Sequence, residues 1–308
     1  MKNPIQKITR ALLFLFAFVI CGFTRLQAEP ASPVTVYSVP PGENLVSEHA
    51  VTVSGTSVPL IASAKNYAHF AFTGTVEVRV TDVAGWTLSP TDFNIPVTWD
   101  GSTMIFSLSQ PRKLVLHNHY SNDPAQFILL FADAPEKDAP LRTDPNVLDV
   151  GTLGLDATGA SDVTYGLQMA LNQAAASDVQ KTVYIPPGTY KIQGLRMNSN
   201  TKVYLAGGSK LSFTGGVVIP NSNCPGSGGY DDEGCCVFDQ VQNATLFGRG
   251  VLEGNFVRGH LIQAYKSKNI TIEGVIGRDA GGYHTIITRC DGVLISNYKV
   301  IQALKEHE

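Results

Sequence analysis

The chain has 308 residues, 44% of them hydrophobic and 16% charged, which is too apolar for a disordered or purely solvating protein. Its formal charge of -3 provides no global basic field, so a nucleic-acid clamp is excluded. The 29 glycines and 17 prolines, with many Val, Ile and Thr, favour a turn-rich β protein of one or two domains.

Residues 1–28 read as a signal peptide. Lys2, Lys7 and Arg10 give a basic start, Ala11 to Phe23 is nearly all apolar, and Leu26-Gln27-Ala28 ends on a small residue. The apolar run, about 13 residues, is short for the ~20 a membrane span needs. Cys21 follows that run as in a lipoprotein signal, but Ile20 before it is too bulky for that processing. The expected product is secreted or periplasmic, with no membrane contact after cleavage. Cleavage removes four basic and no acidic residues, so the remainder is more acidic. Cys224, Cys235, Cys236 and Cys290 remain and allow three pairings. A disulfide between Cys224 and Cys235, closing the glycine-rich loop Pro225 to Gly234, is the favoured pairing, against free buried thiols. Zinc is disfavoured, because Cys235 and Cys236 are adjacent and no His stands at ligand spacing.

Residues 30–134 alternate short apolar segments with turns. The segments are Thr35 to Val39, Ala50 to Val53, Phe70 to Phe72, Val76 to Val80, Ile95 to Trp99, Met104 to Leu108, Lys113 to His117 and Phe127 to Phe131. Such spacing predicts a β-sandwich, with Asp100-Gly101 as the clearest hairpin turn. Trp86 and Trp99 are expected in its core, sugar stacking being the alternative. Residues 135–147 mix Pro135, Pro140 and Pro145 with charges and read as an exposed linker.

Residues 148–308 read as an incomplete parallel β-helix. One helix opens the region, with Ser161 or Asp162 as cap and Leu167, Ala170, Leu171 and Ala174 as its apolar stripe. Strand pairs then recur. Their first members start at Val237, Leu261 and Thr285, 24 residues apart, and each second member follows a polar turn. One such unit cannot bury both faces, so stacking into a solenoid is predicted. The helix covers the first coil, which would otherwise be an open sheet edge. The fold class is therefore all-β: an N-terminal β-sandwich followed by a right-handed parallel β-helix with an N-terminal capping helix.

The run Val183-Tyr184-Ile185-Pro186-Pro187-Gly188-Thr189-Tyr190 resembles the first coil of the pectate-lyase-like superfamily, and Asp156 to Leu171 resembles its capping segment. Gly248-Arg249-Gly250-Val251-Leu252-Glu253-Gly254 is similar to a coil of the polygalacturonase-like glycoside hydrolases. The front zone resembles the sandwich preceding the helix in some of them, and dextranase-like hydrolases share a related two-domain plan. The resemblance covers most of residues 34 to 301. It implies inverting hydrolysis of a pectin-like or dextran-like polysaccharide by paired carboxylates. In that family the carboxylates come from an Asn-Thr-Asp-Gly and an Asp-Asp segment, on coils after the one matching Val293 to Ile301. Gln302 to Glu308 carries neither. No catalytic residue is therefore carried over, and the chain is expected to be truncated at its C-terminal side.

Other candidates follow from residue type. Asp231, Asp232 and Glu233 form the densest acidic cluster, a candidate calcium site against a solvated loop tip; no other cofactor is expected. Arg249, Arg258 and Arg278 suit uronate carboxylates if they share a face, and Asp279 and His284 flank Gly281-Gly282 where a groove would place them near a sugar. The alternative is ordinary surface charge. Asn243-Ala244-Thr245 and Asn269-Ile270-Thr271 match glycosylation acceptors, but stacked side chains at a coil corner explain them without modification. Three functions stand open: a polygalacturonase-like glycosidase, a non-catalytic polysaccharide-binding protein, and a calcium-dependent lyase. The open end of the β-helix, Thr285 to Ile301, is expected to favour self-association.

Overall fold

The computed structural model describes residues 33–119, 121, 123, 126–219 and 233–303. The expected signal segment lies outside them.

Residues 34–133 form two packed sheets. One runs, in spatial order, Val34–Val36, Asn66–Phe72, Phe127–Asp133, Arg112–His117 and Thr87–Ser89, with Leu60–Ile61 paired to Asn66–Phe72. The other runs Thr56–Val58, Val51–Val53, Val76–Val80, Thr103–Leu108 and Val97–Asp100. Val76–Val80 alternates buried and open positions, as a strand with one wet face should. The predicted hairpin is present: Asp100 pairs Thr103, and Gly101 takes the positive φ its turn demands.

Two strands break that alternation. Asn66–Phe72 is buried at every position, and Phe127–Asp133 nearly so. Ala68, Phe70, Phe72, Ile128, Leu130 and Ala132 fill the sandwich core. The opposite parity, with Tyr67 and Phe131, packs against Val251, Ile276 and Ile301 of the β-helix. This sheet is therefore covered on both faces, and its strand begins at Asn66 rather than Phe70 because residues 66–69 pair with Phe127–Asp133.

From Val147 the chain winds three parallel sheets. The first stacks Val147–Asp149, Lys181–Ile185, Thr201–Leu205, Gln242–Gly248, Lys268–Glu273 and Asp291–Ser296. The second stacks Thr158–Asp162, Gly188–Ile192, Ser209–Phe213, Val251–Glu253, Ile276–Arg278 and Lys299–Ile301, and the third Leu195–Arg196, Glu233–Asp239, His260–Tyr265 and Thr285–Thr288. The fold is thus a β-sandwich followed by a parallel β-helix. The register is not the even 24-residue step read from the sequence. Cys236 pairs Ile262 and Ile262 pairs Thr285, in part because the chain takes nine residues from Glu253 to Ile262 and seven between their partners Arg278 and Thr285.

The helix Thr164–Ala175 buries Leu167, Ala170, Leu171 and Ala174 as its spacing requires. Its N-cap residue is Val163, and Asp162 supplies the cap one residue earlier: its carboxylate accepts from the Thr164 N–H at 2.8 Å. The asparagine corner also forms. Asn243 donates its amide to Asn200 at 3.0 Å, and Asn269 donates to Asn243 at 3.0 Å. All three take positive φ, which asparagine tolerates better than other side-chain-bearing residues. On the last described coil, Ile287, Leu294, Ile295 and Val300 are exposed.

Candidate functional site on the third parallel sheet

Strand parity fixes which side chains leave the third sheet. Leu195, Cys236 and Ile262 share one register and join the β-helix core, so Arg196, Val237, Asp239, Gln263 and Tyr265 face outward. Val237 and Tyr265 pack with Ile219. Arg196 lies 3.8 Å from Asp239 and donates to the Val218 carbonyl at 2.6 Å. One edge of this face is made by the turns that lead from the second sheet into the third. Those turns interlock: Phe256 N–H donates to the Asp279 carbonyl at 2.8 Å, and Gly282 N–H to the Gly259 carbonyl at 2.7 Å. A Cβ on Gly281 would stand 1.8 Å from the Val257 carbonyl oxygen, so only glycine permits this approach.

Arg258, Asp279 and His284 sit on these turns, and so are brought to one edge. Arg258 is exposed and 3.8 Å from Glu233. Asp279 accepts from the Ala303 N–H at 2.8 Å. His284 Nε2 lies 2.6 Å from Gln302 Oε1, and its Nδ1 has no hydrogen-bond partner among the described residues. Burial pushes the His284 imidazole below its ordinary pKa, against the opposing pull of Gln302 and Asp279. The ring is therefore neutral near pH 7. Two residues not singled out from the sequence complete the edge. Tyr283, 68% exposed, stacks on His260 with centroids 5.5 Å apart. The Tyr283 N–H donates to His260 Nδ1 at 3.0 Å, which assigns the neutral ring's proton to Nε2. Neighbouring turns of this edge thus carry an exposed aromatic and an exposed cation, residue types that grip sugar rings and their carboxylates.

Arg249 and Arg278 are not on this face. Both are buried in the seam between sandwich and β-helix, and their expected place among substrate-facing arginines is corrected. Arg278 ends a strand of the second sheet and Arg249 lies in the turn leading into that sheet, which the sandwich covers. Arg278 forks onto Glu43 at 2.7 and 3.0 Å and also meets Glu253. Lys210 donates to Glu43 at 2.6 Å. Burial alone would raise the Glu43 carboxyl; the Arg278 and Lys210 bonds and charges outweigh it and hold it below the usual range. Arg249 lies 3.4 Å from Asp133, which accepts from Lys299 Nζ at 2.6 Å and His69 Nε2 at 2.9 Å, with Lys113 as a further partner. Burial would likewise raise Asp133, yet the His69 hydrogen bond and the lysine charges hold it far below the carboxylate range. His69 and Asp133 are the signals the sequence held for this seam, titratable residues on largely apolar strands.

Burial drives His69 down to about 4, its Asp133 bond opposing and the charges of Lys299 and Arg249 assisting. A folded pKa below the unfolded ~6.5 means that the unfolded chain binds more protons between those values. Stability is full above about pH 6.5 and falls as pH drops to about 4, by roughly 3 kcal/mol. In His69→Gln this part of the fall should vanish, read as a smaller drop in denaturation midpoint between pH 7 and pH 4.

Glu233 is half-buried beside Arg258, while Asp231 and Asp232 lie outside the described residues. Among the described residues no group of three or more His, Cys, Asp or Glu side chains is placed to hold a metal. Cys235, Cys236 and Cys290 are free thiols, and Cys224 lies outside the described residues. The Cys235 and Cys236 side chains join the β-helix core, where burial pushes both thiols up to about 12, so they stay protonated and unreactive.

A family model described as rhamnogalacturonase A/epimerase, pectate lyase-like, matches residues 146–300. The chain is similar to a polygalacturonase of Medicago sativa, 22% identical over 174 residues, which are 50% of this chain and 39% of that protein. It is also similar to a polygalacturonase of Gossypium barbadense, 21% identical over 202 residues, 59% of this chain and 46% of that one. The chain thus spans less than half the length of these curated relatives. Among solved structures, Dex49A from Penicillium minioluteum aligns with a TM-score of 0.55 and 12% identity, covering 87% of this chain and 60% of that one, a likeness of fold. No described helix is long and apolar enough to cross a membrane. The matched segment runs from the first strand of the first parallel sheet to the last strand of the second, and the chain belongs to the rhamnogalacturonase A/epimerase, pectate lyase-like family.

Proposed function

We propose that this chain is a secreted polysaccharide-processing protein of the polygalacturonase-like glycoside hydrolase class, gripping its glycan along the turns that edge the third sheet. The observation that carries this reading is the edge whose adjoining turns carry the Tyr283–His260 stack and the exposed Arg258. Val237, Gln263 and Tyr265 of the sheet face are buried, so the exposed contacts lie on the turns at its edge, stacked at the ~4.8 Å strand spacing. In the complete family plan, one carboxylic acid protonates the leaving oxygen and a second carboxylate activates water from the opposite side. The three carboxylates named at this face, Glu233, Asp239 and Asp279, are each engaged by an arginine or a backbone N–H. Their engagement supports binding in this chain without turnover.

The test is retention in a native gel containing polygalacturonate, alongside reducing-end release from the same polymer. Retention is expected, with release at background, far under the 1–10³ s⁻¹ of working enzymes. Tyr283→Ala and Arg258→Ala should each weaken retention about tenfold, the scale of one aromatic or charge-assisted contact. Unchanged retention in both variants would remove the third-sheet edge from the reading; release at enzymatic rates would place a working carboxylate pair in this chain.

Self-association is proposed through the exposed Ile287, Leu294, Ile295 and Val300. Unpaired strand edges with apolar neighbours recruit further strands. Light scattering should show mass rising with concentration, and Leu294→Lys should suppress the rise.

A further inference from the structure

The two sheets of the sandwich diverge along one side. There the edge strand Thr87–Ser89 of one sheet faces the edge strand Val97–Asp100 of the other, with residues 90–96 joining them. The opening is a groove of about 290 Å³. Its floor is apolar: Trp86 and Met104 are buried there, and Leu88 and Ile95 pack against the same core. Trp99 stands across from Met104 in the ladder, so its side chain takes the inward parity of the sheet. On an internal strand such a residue would be covered. On this edge strand it is 45% exposed, which overturns the core position expected for it, and it forms a wall of the groove.

Three properties of the groove restrict its occupant. No residue lining it carries a charge, so nothing there repays the desolvation of a carboxylate or an ammonium. Thr87, Thr91 and Asn94 line it as well and supply hydroxyl and amide groups. Its volume lies at the small end for ligand sites, enough for a short stretch of pyranose rings rather than a folded partner. An uncharged ring with an apolar C–H face and a hydroxyl perimeter matches an indole wall, an apolar floor and a hydroxyl-bearing lining.

We propose that this groove is a second glycan subsite, taking an uncharged pyranoside segment against Trp99. The inference rests on the polysaccharide reading above and gives the sandwich a role in it. The sandwich holds neutral stretches of a glycan, and the third sheet holds the segment that Arg258 and Tyr283 face. Because the sandwich is docked rigidly on the second sheet through Glu43, Asp133 and their partners, the two subsites keep a fixed separation. Binding at two fixed points strengthens retention of a polymer beyond either site alone.

The chain contains two tryptophans in all, and both line this groove. Intrinsic tryptophan emission from the intact protein therefore reports on this site and not on the β-helix. Emission is followed while soluble dextran, cellohexaose or a β-1,4-galactan oligosaccharide is added, with polygalacturonate as the charged comparator. A saturable change in emission is expected with at least one neutral glycan and none with polygalacturonate. Trp99→Ala should weaken that glycan's apparent affinity at least tenfold, while Trp86 still reports. Ile95→Arg, which places a charge in the groove and keeps both indoles, should weaken it similarly. No saturable change with any of the three neutral glycans overturns the proposal, as does a change confined to polygalacturonate or equal affinity in both variants. Polygalacturonate retention by Tyr283 and Arg258 is measured separately, so either site can fail alone.

Discussion

Replacing Asp133 by alanine is expected to cost about 3–5 kcal/mol of folding stability, the range for removing one partner of a buried ion pair. The carboxylate is fully buried, with Lys299 Nζ at 2.6 Å, His69 Nε2 at 2.9 Å and Arg249 Nε at 3.4 Å. Lys299 and Arg249 come from the β-helix, His69 and Asp133 from the sandwich. Alanine would leave two buried cations with one more distant carboxylate, Glu136, 4.0 Å from Arg249 Nη1. Burial already pulls Lys299 down to about 8 despite Asp133's opposing charge, so without Asp133 the lysine would shed its proton near neutral pH. The measurement is urea denaturation at pH 7. A loss under 1 kcal/mol, the scale of an exposed pair, would show that the seam is wet and that its charges do little. The double variant Asp133→Leu with Lys299→Met should recover most of the loss, because an apolar pair of similar volume escapes the desolvation penalty. The seam is therefore expected to set geometry more than stability: charges that match in one docking pose alone hold the sandwich where Trp99 and Tyr283 keep their spacing.

Much of the architecture was legible because its causes are local. The stripe Leu167, Ala170, Leu171 and Ala174 needs one helical period to be read, and it is buried as the period requires. Asn243 and Asn269 were legible as a stacked corner because they recur at one step of a repeat. The roles of Arg249, Arg278 and Trp99 were not legible, because each depends on what lies across from it. An arginine on the second sheet looks identical in sequence whether water or the sandwich covers it. Here Glu43, more than two hundred residues away along the chain, decides that Arg278 is structural. Trp99 was misplaced for the opposite reason: its inward parity was right, but an edge strand has no neighbour to close over it. The His260–Tyr283 stack needs the register of two adjacent coils, and the even spacing read from the sequence differs from the real pairing of Gly234 with His260.

Gly248→Ala is expected to cost about 3 kcal/mol or more, and this second large effect explains a glycine that the sequence displays without a reason. Gly248 ends a strand of the first parallel sheet at φ +118, a conformation that costs an L-residue roughly 1–3 kcal/mol. An added Cβ would stand 2.1 Å from the Leu205 carbonyl oxygen. That oxygen cannot move aside freely, since it accepts the Arg249 N–H at 2.8 Å and the Gly250 N–H at 3.1 Å. Relieving the clash must push adjacent coils apart or break those bonds, and overpacking of this kind adds roughly 1–3 kcal/mol. The damage should not stay local. The Gly248 carbonyl accepts from Arg249 Nη1 at 3.0 Å, so a shifted turn carries Arg249 away from Asp133 and loosens the sandwich as well. Gly215→Ala serves as the control: its φ is ordinary and a Cβ there would find nothing closer than 3.9 Å, so a change within about 0.5 kcal/mol is expected. Equal denaturation midpoints for the two variants would mean that the coil turn at Gly248 yields easily. The Gly-Arg-Gly run would then owe its residues to something other than the close stacking of Leu205 beneath it.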